Sequence, residues 1–233
     1  MVKSCKESLT DLWSTGRGPY LLLALLSFAI FLAPWLIIEK IVSQVLIQSI
    51  FLIVLITGVF AISSNRLYRL ITVLISVLAV FSRAWHQYDV SNIALSFFEN
   101  IFAVGTLFVF GILMFRRFLR GDTLLQYRIA AAVAIYLLIG LIWGHLYNMI
   151  HILDPNSFAI DHNPNEFVLS YFSFVTLVTL GYGDVVPVSS AARSLAILEG
   201  VVGQLYMVIL ISSLVSEFSS LAVKKVIENP NQL

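Results

Sequence analysis

Thr179-Leu180-Gly181-Tyr182-Gly183-Asp184 lies between two apolar runs, and this short stretch decides how the rest of the chain is read. Gly181 and Gly183 can enter positive-φ backbone without a side-chain clash, so consecutive C=O groups can face a common axis. A ring of such carbonyls replaces the hydration oxygens of a cation with protein oxygens. On this reading Tyr182 points backwards and packs as a strut, its hydroxyl seeking a partner in the surrounding protein. The Thr179 hydroxyl adds an oxygen at the inner end. The bland alternative is a glycine-rich turn joining two membrane helices.

Composition independently demands a membrane. With 59% of residues apolar, 12% charged and a mean hydropathy of +0.93, a soluble chain would expose far too much apolar surface. Apolar runs near the length needed for about 30 Å of hydrocarbon fall at 19–38, 42–62, 69–85, 95–115, 127–149 and 193–217. Pro34 sits inside the first and is expected to kink it. Placing both termini in the cytoplasm leaves only Lys40, Arg83 and Arg193 of the 14 Lys and Arg residues outside. The same orientation puts the Gly-Tyr-Gly stretch at the extracellular face.

Residues 161–166 read as a helix start, with Asn163 as cap, Pro164 at the first helical position and Glu166 reaching back. A helix from there to about Val178 is too short to cross the membrane, and fits a re-entrant segment whose C-terminal dipole favours a cation.

Thr179 to Asp184, followed by Pro187, resembles the signature of the tetrameric potassium-channel family. Tyr171 and Phe172 match the aromatic positions of that family's pore helix, and Gly203 falls where its inner helix commonly has a hinge glycine. Leu180 departs mildly from the usual Val. The resemblance, specific over roughly residues 165–216, implies a bacterial-type six-transmembrane member without an arginine-rich voltage sensor. The expected fold is all-α, with six transmembrane helices, a re-entrant pore helix and selectivity filter between the fifth and sixth, and a tetrameric pore. K+ is expected at the backbone carbonyls of Thr179, Leu180, Gly181 and Tyr182, with Gly183 completing the filter. The expected division is a cytoplasmic segment 1–18, a peripheral four-helix membrane domain 19–120, a pore domain 121–218 and a short cytoplasmic tail 219–233.

Val175 stands where some relatives carry a carboxylate that pairs with the residue matching Asp184. Asp184 is left to bond a neighbouring aromatic or backbone N–H, or to face the outer vestibule and attract cations. Glu199 lies inside an apolar span, where a carboxylate is expensive, so it faces protein or is protonated. Its first reading is a hydrogen-bonding support beneath the pore helix or the filter loop; an ion-path carboxylate and a pair with another polar membrane residue are the alternatives. Gly200 and Gly203 permit either a hinge or close packing. Met207, Ile211 and Leu214 recur on one helix face, giving either a cavity or hydrophobic gate or plain packing.

The fourth span lacks a gating ladder, since from Ser96 to Phe115 its only ionisable residue is Glu99. The single Cys5 excludes an intrachain disulfide and a thiolate cluster. His86, His145, His151 and His162 form no recognised metal motif, and no nucleotide-binding loop occurs. The chain is therefore expected not to be an enzyme and to need no cofactor beyond the transported K+. It is expected to bind no nucleic acid and to sit in membrane lipid as a multi-pass protein of the cell membrane. Because one loop cannot close a ring of carbonyls, a homotetramer is expected, with any separate regulatory subunit unidentified. The function expected is potassium-selective passive conduction without strong voltage gating. A non-conducting channel-like subunit or a transporter component is the alternative.

Overall fold

The computed structural model describes residues 18–32, 92–120, 125–160 and 167–228, with isolated positions between 35 and 82. Helix α1 spans Gly18–Ser27 and passes into a π turn, Phe28–Leu32; α2 spans Ile93–Arg120 and α3 Leu125–Leu153. A 3-10 turn, Pro155–Ser157, leads to strand β1, Phe158–Ile160. Helix α4 spans Val168–Leu177, β2 spans Val185–Pro187, and α5 runs from Ser190 to Glu228.

The expectation of six transmembrane helices is corrected. Among the described residues three helices are long and apolar enough to cross a membrane: Ile93–Arg116, Arg128–Leu153 and Ser190–Ser216. Within the run at 19–38 the described part is a shorter apolar helix, Tyr20–Leu32. The run at 42–62 and Pro34 lie outside the described residues, and 69–85 is described only at separate helical positions between Leu70 and Ser82. The three long helices make this a multi-pass membrane protein.

Helix α3 is the common wall. It carries no proline, and its Ala130, Ala131, Ala132 and Ala134 are buried. Such small side chains let neighbouring backbones approach where lipid offers no hydrophobic drive between helices. Leu22 and Leu26 of α1, Leu107, Phe110, Leu113 and Met114 of α2, and Ala131, Ala134, Ile135 and Leu138 of α3 form one buried cluster. Further along α3, Trp143 and Tyr147 pack with Phe158, Leu169, Phe172, Val185 and Ala192 in a second. Tyr147, Phe158 and Phe172 meet edge to face in a triangle, with centroids 5.0–5.6 Å apart.

After α3, Asp154 caps the 3-10 turn by accepting from Asn156 N–H at 3.1 Å. The antiparallel β1–β2 ribbon pairs Phe158 with Pro187 and Ile160 with Val185. Val188 N–H then donates to the Ser157 carbonyl at 2.8 Å. The sequence reading contained no strands, because each is only three residues long and carries too little periodicity to register. Ser189 starts α5, its Oγ accepting from Ala192 N–H at 3.2 Å. The result ties both ends of the segment from α4 to β2 to fixed points.

Candidate functional site

The loop 178–184 leaves α4 through a closed C-terminal turn. Leu180 N–H donates to the Val175 carbonyl at 2.9 Å and Thr179 N–H to that of Thr176 at 3.0 Å. This pair of bonds is the Schellman pattern, and Thr179 occupies its left-handed position at φ 61°. Glycine usually stands there. Threonine is β-branched and a true outlier at such an angle, the sole non-glycine with positive φ among the described residues. Gly181 and Gly183 follow at φ 58° and 82°. A Cβ at either would meet nothing within 4 Å, so backbone conformation rather than crowding requires glycine at both. Thr179, Leu180, Gly181, Tyr182 and Gly183 are all exposed in the single chain.

Asp184 closes the loop from the other side. Its Oδ2 accepts from the Tyr171 hydroxyl at 2.8 Å and its Oδ1 from Val185 N–H at 3.1 Å. The hydrogen bond to Asp184, with smaller contributions from burial and the nearby negative charge, pushes the Tyr171 phenol up to about 12. Of the roles open to Asp184, the structure shows bonds to an aromatic and to a backbone N–H. Tyr171 lies one helical turn before the buried Val175, on the same face of α4.

Helix α4 is seated on helices that lack side chains where it touches them. A Cβ at Gly144 would lie 2.9 Å from Cα of Ser170, and one at Gly140 would lie 2.7 Å from Cζ of Phe174. On α5, a Cβ at Gly203 would come within 2.7 Å of Cδ1 of Leu177. The Leu177 carbonyl accepts from the Tyr136 hydroxyl at 3.0 Å. Tyr136 stacks on Tyr206, whose hydroxyl donates to the Ala132 carbonyl at 2.7 Å. Gly203 is thus a packing contact in an unbroken helix, and Gly200 has open space around it.

Glu199 is fully buried at the junction of α3, α4 and α5. Its Oε2 accepts from the Tyr147 hydroxyl at 2.5 Å, and its Oε1 lies 2.5 Å from Ser173 Oγ, itself 2.7 Å from the Gly140 carbonyl. Tyr147 and Ser173 were not singled out as its partners from sequence. A carboxyl inside an apolar span requires polar neighbours, and α4 offers Ser170, Tyr171, Ser173 and Thr176, of which Ser173 is the fully buried one.

Other residues singled out earlier lie further down α5 or outside the described set. Met207 and Leu214 are half-buried and Ile211 is exposed. Helix α4 begins at Val168 with Phe167 at its N-cap and no side-chain cap bond, whereas Asn163, Pro164 and Glu166 lie outside the described residues. His145 bonds Asn100 of α2 at 2.8 Å, its ring nitrogen facing the amide oxygen. Among the described residues no group of three or more His, Cys, Asp and Glu side chains is placed to hold a metal ion.

Residues 131–220 match the sequence model of a family described as "Ion channel". The matched segment runs from α3 through the loop into α5, and so contains the contacts of the loop, of α4 and of Glu199 described above. Neither a curated relative nor a solved structure shows significant similarity to the chain. The match corrects the tetrameric six-transmembrane family and the homotetramer expected from the signature. It is to a single such domain over less than half of the chain, and it supports neither the six-transmembrane layout nor a count of four chains. The physical reason is that a filter-like loop encodes local carbonyl geometry. It carries no information on how many chains supply the ring.

Proposed function

We propose that Thr179, Leu180, Gly181, Tyr182 and Gly183 form the selectivity filter of this chain, a potassium channel that conducts K+ passively and is not an enzyme. The observation that carries the reading is the alternation of positive φ at Thr179, Gly181 and Gly183. Residues of opposite backbone hand in alternation turn successive peptide planes the same way. Carbonyls aligned like this replace the ion's water, with K+ at Thr179, Leu180, Gly181 and Tyr182. The strain of a left-handed threonine is expected where function, rather than stability, fixes the backbone.

The closed turn at Leu180 and the Tyr171–Asp184 bond support a loop held at both ends. Helix α4 is then the pore helix. Glu199 supports it from behind, and Asp184 holds the outer end of the filter. Only 11% of the spanning window of α5 is buried within its own chain, so most of its face is available to the ion path, to lipid and to other chains. Met207, Ile211 and Leu214 on that helix form the cavity lining or hydrophobic gate, and Gly200 is the freer position for a bend. Conduction proceeds without a voltage sensor: Glu99 is the only ionisable residue from Ser96 to Phe115, and it is buried. The reading places the protein in the cell membrane with both termini cytoplasmic.

Bi-ionic reversal potentials of reconstituted protein test it. Wild-type channels are expected to follow the K+ gradient, and an assembled Tyr182→Val variant to lose preference for K+ over Na+. Equal K+ and Na+ permeability in open wild-type channels would defeat the filter assignment.

A further inference from the structure

The cluster around Glu199 contains more acceptors than a charged carboxylate could tolerate. Ser173 has a single hydroxyl proton. Its Oγ stands 2.7 Å from the Gly140 carbonyl oxygen and 2.5 Å from Oε1 of Glu199. The carbonyl has no proton to give. If Glu199 were ionised, one of these two short contacts would hold no hydrogen, leaving two oxygens pressed together among fully buried side chains. The groups hydrogen-bonded to Glu199 are the hydroxyls of Tyr147 and Ser173. Neither carries a positive charge that would hold an anion in this setting.

One arrangement satisfies every contact. Tyr147 O–H donates to Oε2, Oε1–H donates to Ser173 Oγ, and Ser173 O–H donates to the Gly140 carbonyl. We propose that Glu199 is a neutral carboxylic acid that acts as a hydrogen-bond donor, a positioning residue fixing α4 against α3 and α5. The chain of bonds leaves α3 at Tyr147, crosses α5 and α4, and returns to α3 at Gly140. Its two feet are about 10 Å apart along α3, two turns of helix. A pair of bonds so separated resists both rolling and sliding of the short α4. The anionic form would remove the donor and break the circuit at Ser173. The inference rests on the packing of α4 and not on the filter reading, so a failure of K+ selectivity would leave its spectroscopic test intact.

Infrared difference spectroscopy of the purified full chain at neutral pH tests it. Wild type minus Glu199→Gln is expected to contain the C=O stretch of a protonated carboxyl, and Ser173→Ala is expected to shift that band by removing its acceptor. A folded Glu199→Gln protein that loses only a carboxylate band overturns the proposal, as does a Ser173→Ala protein whose protonated-carboxyl bands are unmoved. Function supplies a second readout. Glutamine can donate through its NH2 and accept through its C=O, whereas leucine can do neither. The K+ flux of Glu199→Gln should exceed that of Glu199→Leu by about tenfold, the effect of one lost buried hydrogen bond. Equal losses in the two variants would overturn the donor role.

Discussion

The two buried clusters that share α3 are built by different means. Around Leu22, Phe110 and Leu138 the contacts are chiefly aliphatic and aromatic side chains against alanines, with the Tyr206 hydroxyl bonding the Ala132 carbonyl at the edge. Around Tyr147 and Phe172 the rings meet edge to face, glycines allow near-backbone contact, and Glu199 binds three helices at once. The first holds helices together, whereas the second holds a short helix and its loop in one position. Volume governs the former and geometry the latter. A channel that selects among ions by carbonyl placement needs the second kind of support only near the loop.

The largest effect should come from filling the tightest seat. Gly144→Val puts a branched side chain where even a Cβ lies 2.9 Å from the Ser170 backbone, so α4 must move. K+ flux should be abolished, and purified protein should lose thermal stability. A variant with wild-type flux would mean that α4 is not seated on Gly144. The matched change at Gly200, where a Cβ meets nothing within 4 Å, should be far milder.

Next in size is a cavity in the other cluster. Leu138→Ala should cost about 2–5 kcal/mol of stability, as buried leucine truncations do, while the K+ over Na+ preference of surviving channels stays unchanged. Thermal unfolding and reversal potentials read the two quantities separately. A loss of selectivity without a loss of stability would erase the distinction between the clusters. Leu138→Met, which conserves volume, should cost less than about 1.5 kcal/mol.

How much of this was legible in the sequence follows the same division. Membrane residence was readable because apolar length is a property of a stretch taken alone. The glycine requirement at Gly181 and Gly183 was readable because it depends on backbone angle and not on neighbours. What stayed hidden depends on residues far apart in the chain. Ser173 and Tyr147 meet Glu199 across 26 and 52 positions, and no periodicity links them. The roles of Gly140 and Gly144 were also invisible, since a glycine inside an apolar helix looks the same whether a neighbour rests on it or not. Thr179 was read for its hydroxyl; its left-handed backbone was missed because β-branched residues argue against that angle. The assembly was misjudged from a local motif, and of the six spans read from apolar runs three are long enough to cross a membrane among the described residues.

The smallest effect expected is at the rim, where the Tyr171–Asp184 bond is exposed to solvent and closes the loop without belonging to either cluster. Its phenol sits at about 12 in the folded chain against an ordinary 10.0, so the neutral hydroxyl is the form that the fold favours. That contribution is fully present below about pH 10 and is lost as pH rises through about 12. Around neutrality the bond should therefore be insensitive to pH. Subtracting the alkaline absorbance titration of Tyr171→Phe from that of wild type isolates this phenol among the 9 tyrosines. Its midpoint should lie near 12 and fall towards 10 in Asp184→Asn, where the charged acceptor is gone. Tyr171→Phe should speed the decay of K+ current a few-fold without changing the reversal potential, because it loosens the end of the loop and leaves its carbonyls in place. A midpoint at the ordinary value in wild type would show that the bond does not form in solution, and would leave Val185 N–H and the β1–β2 ribbon to hold Asp184 alone.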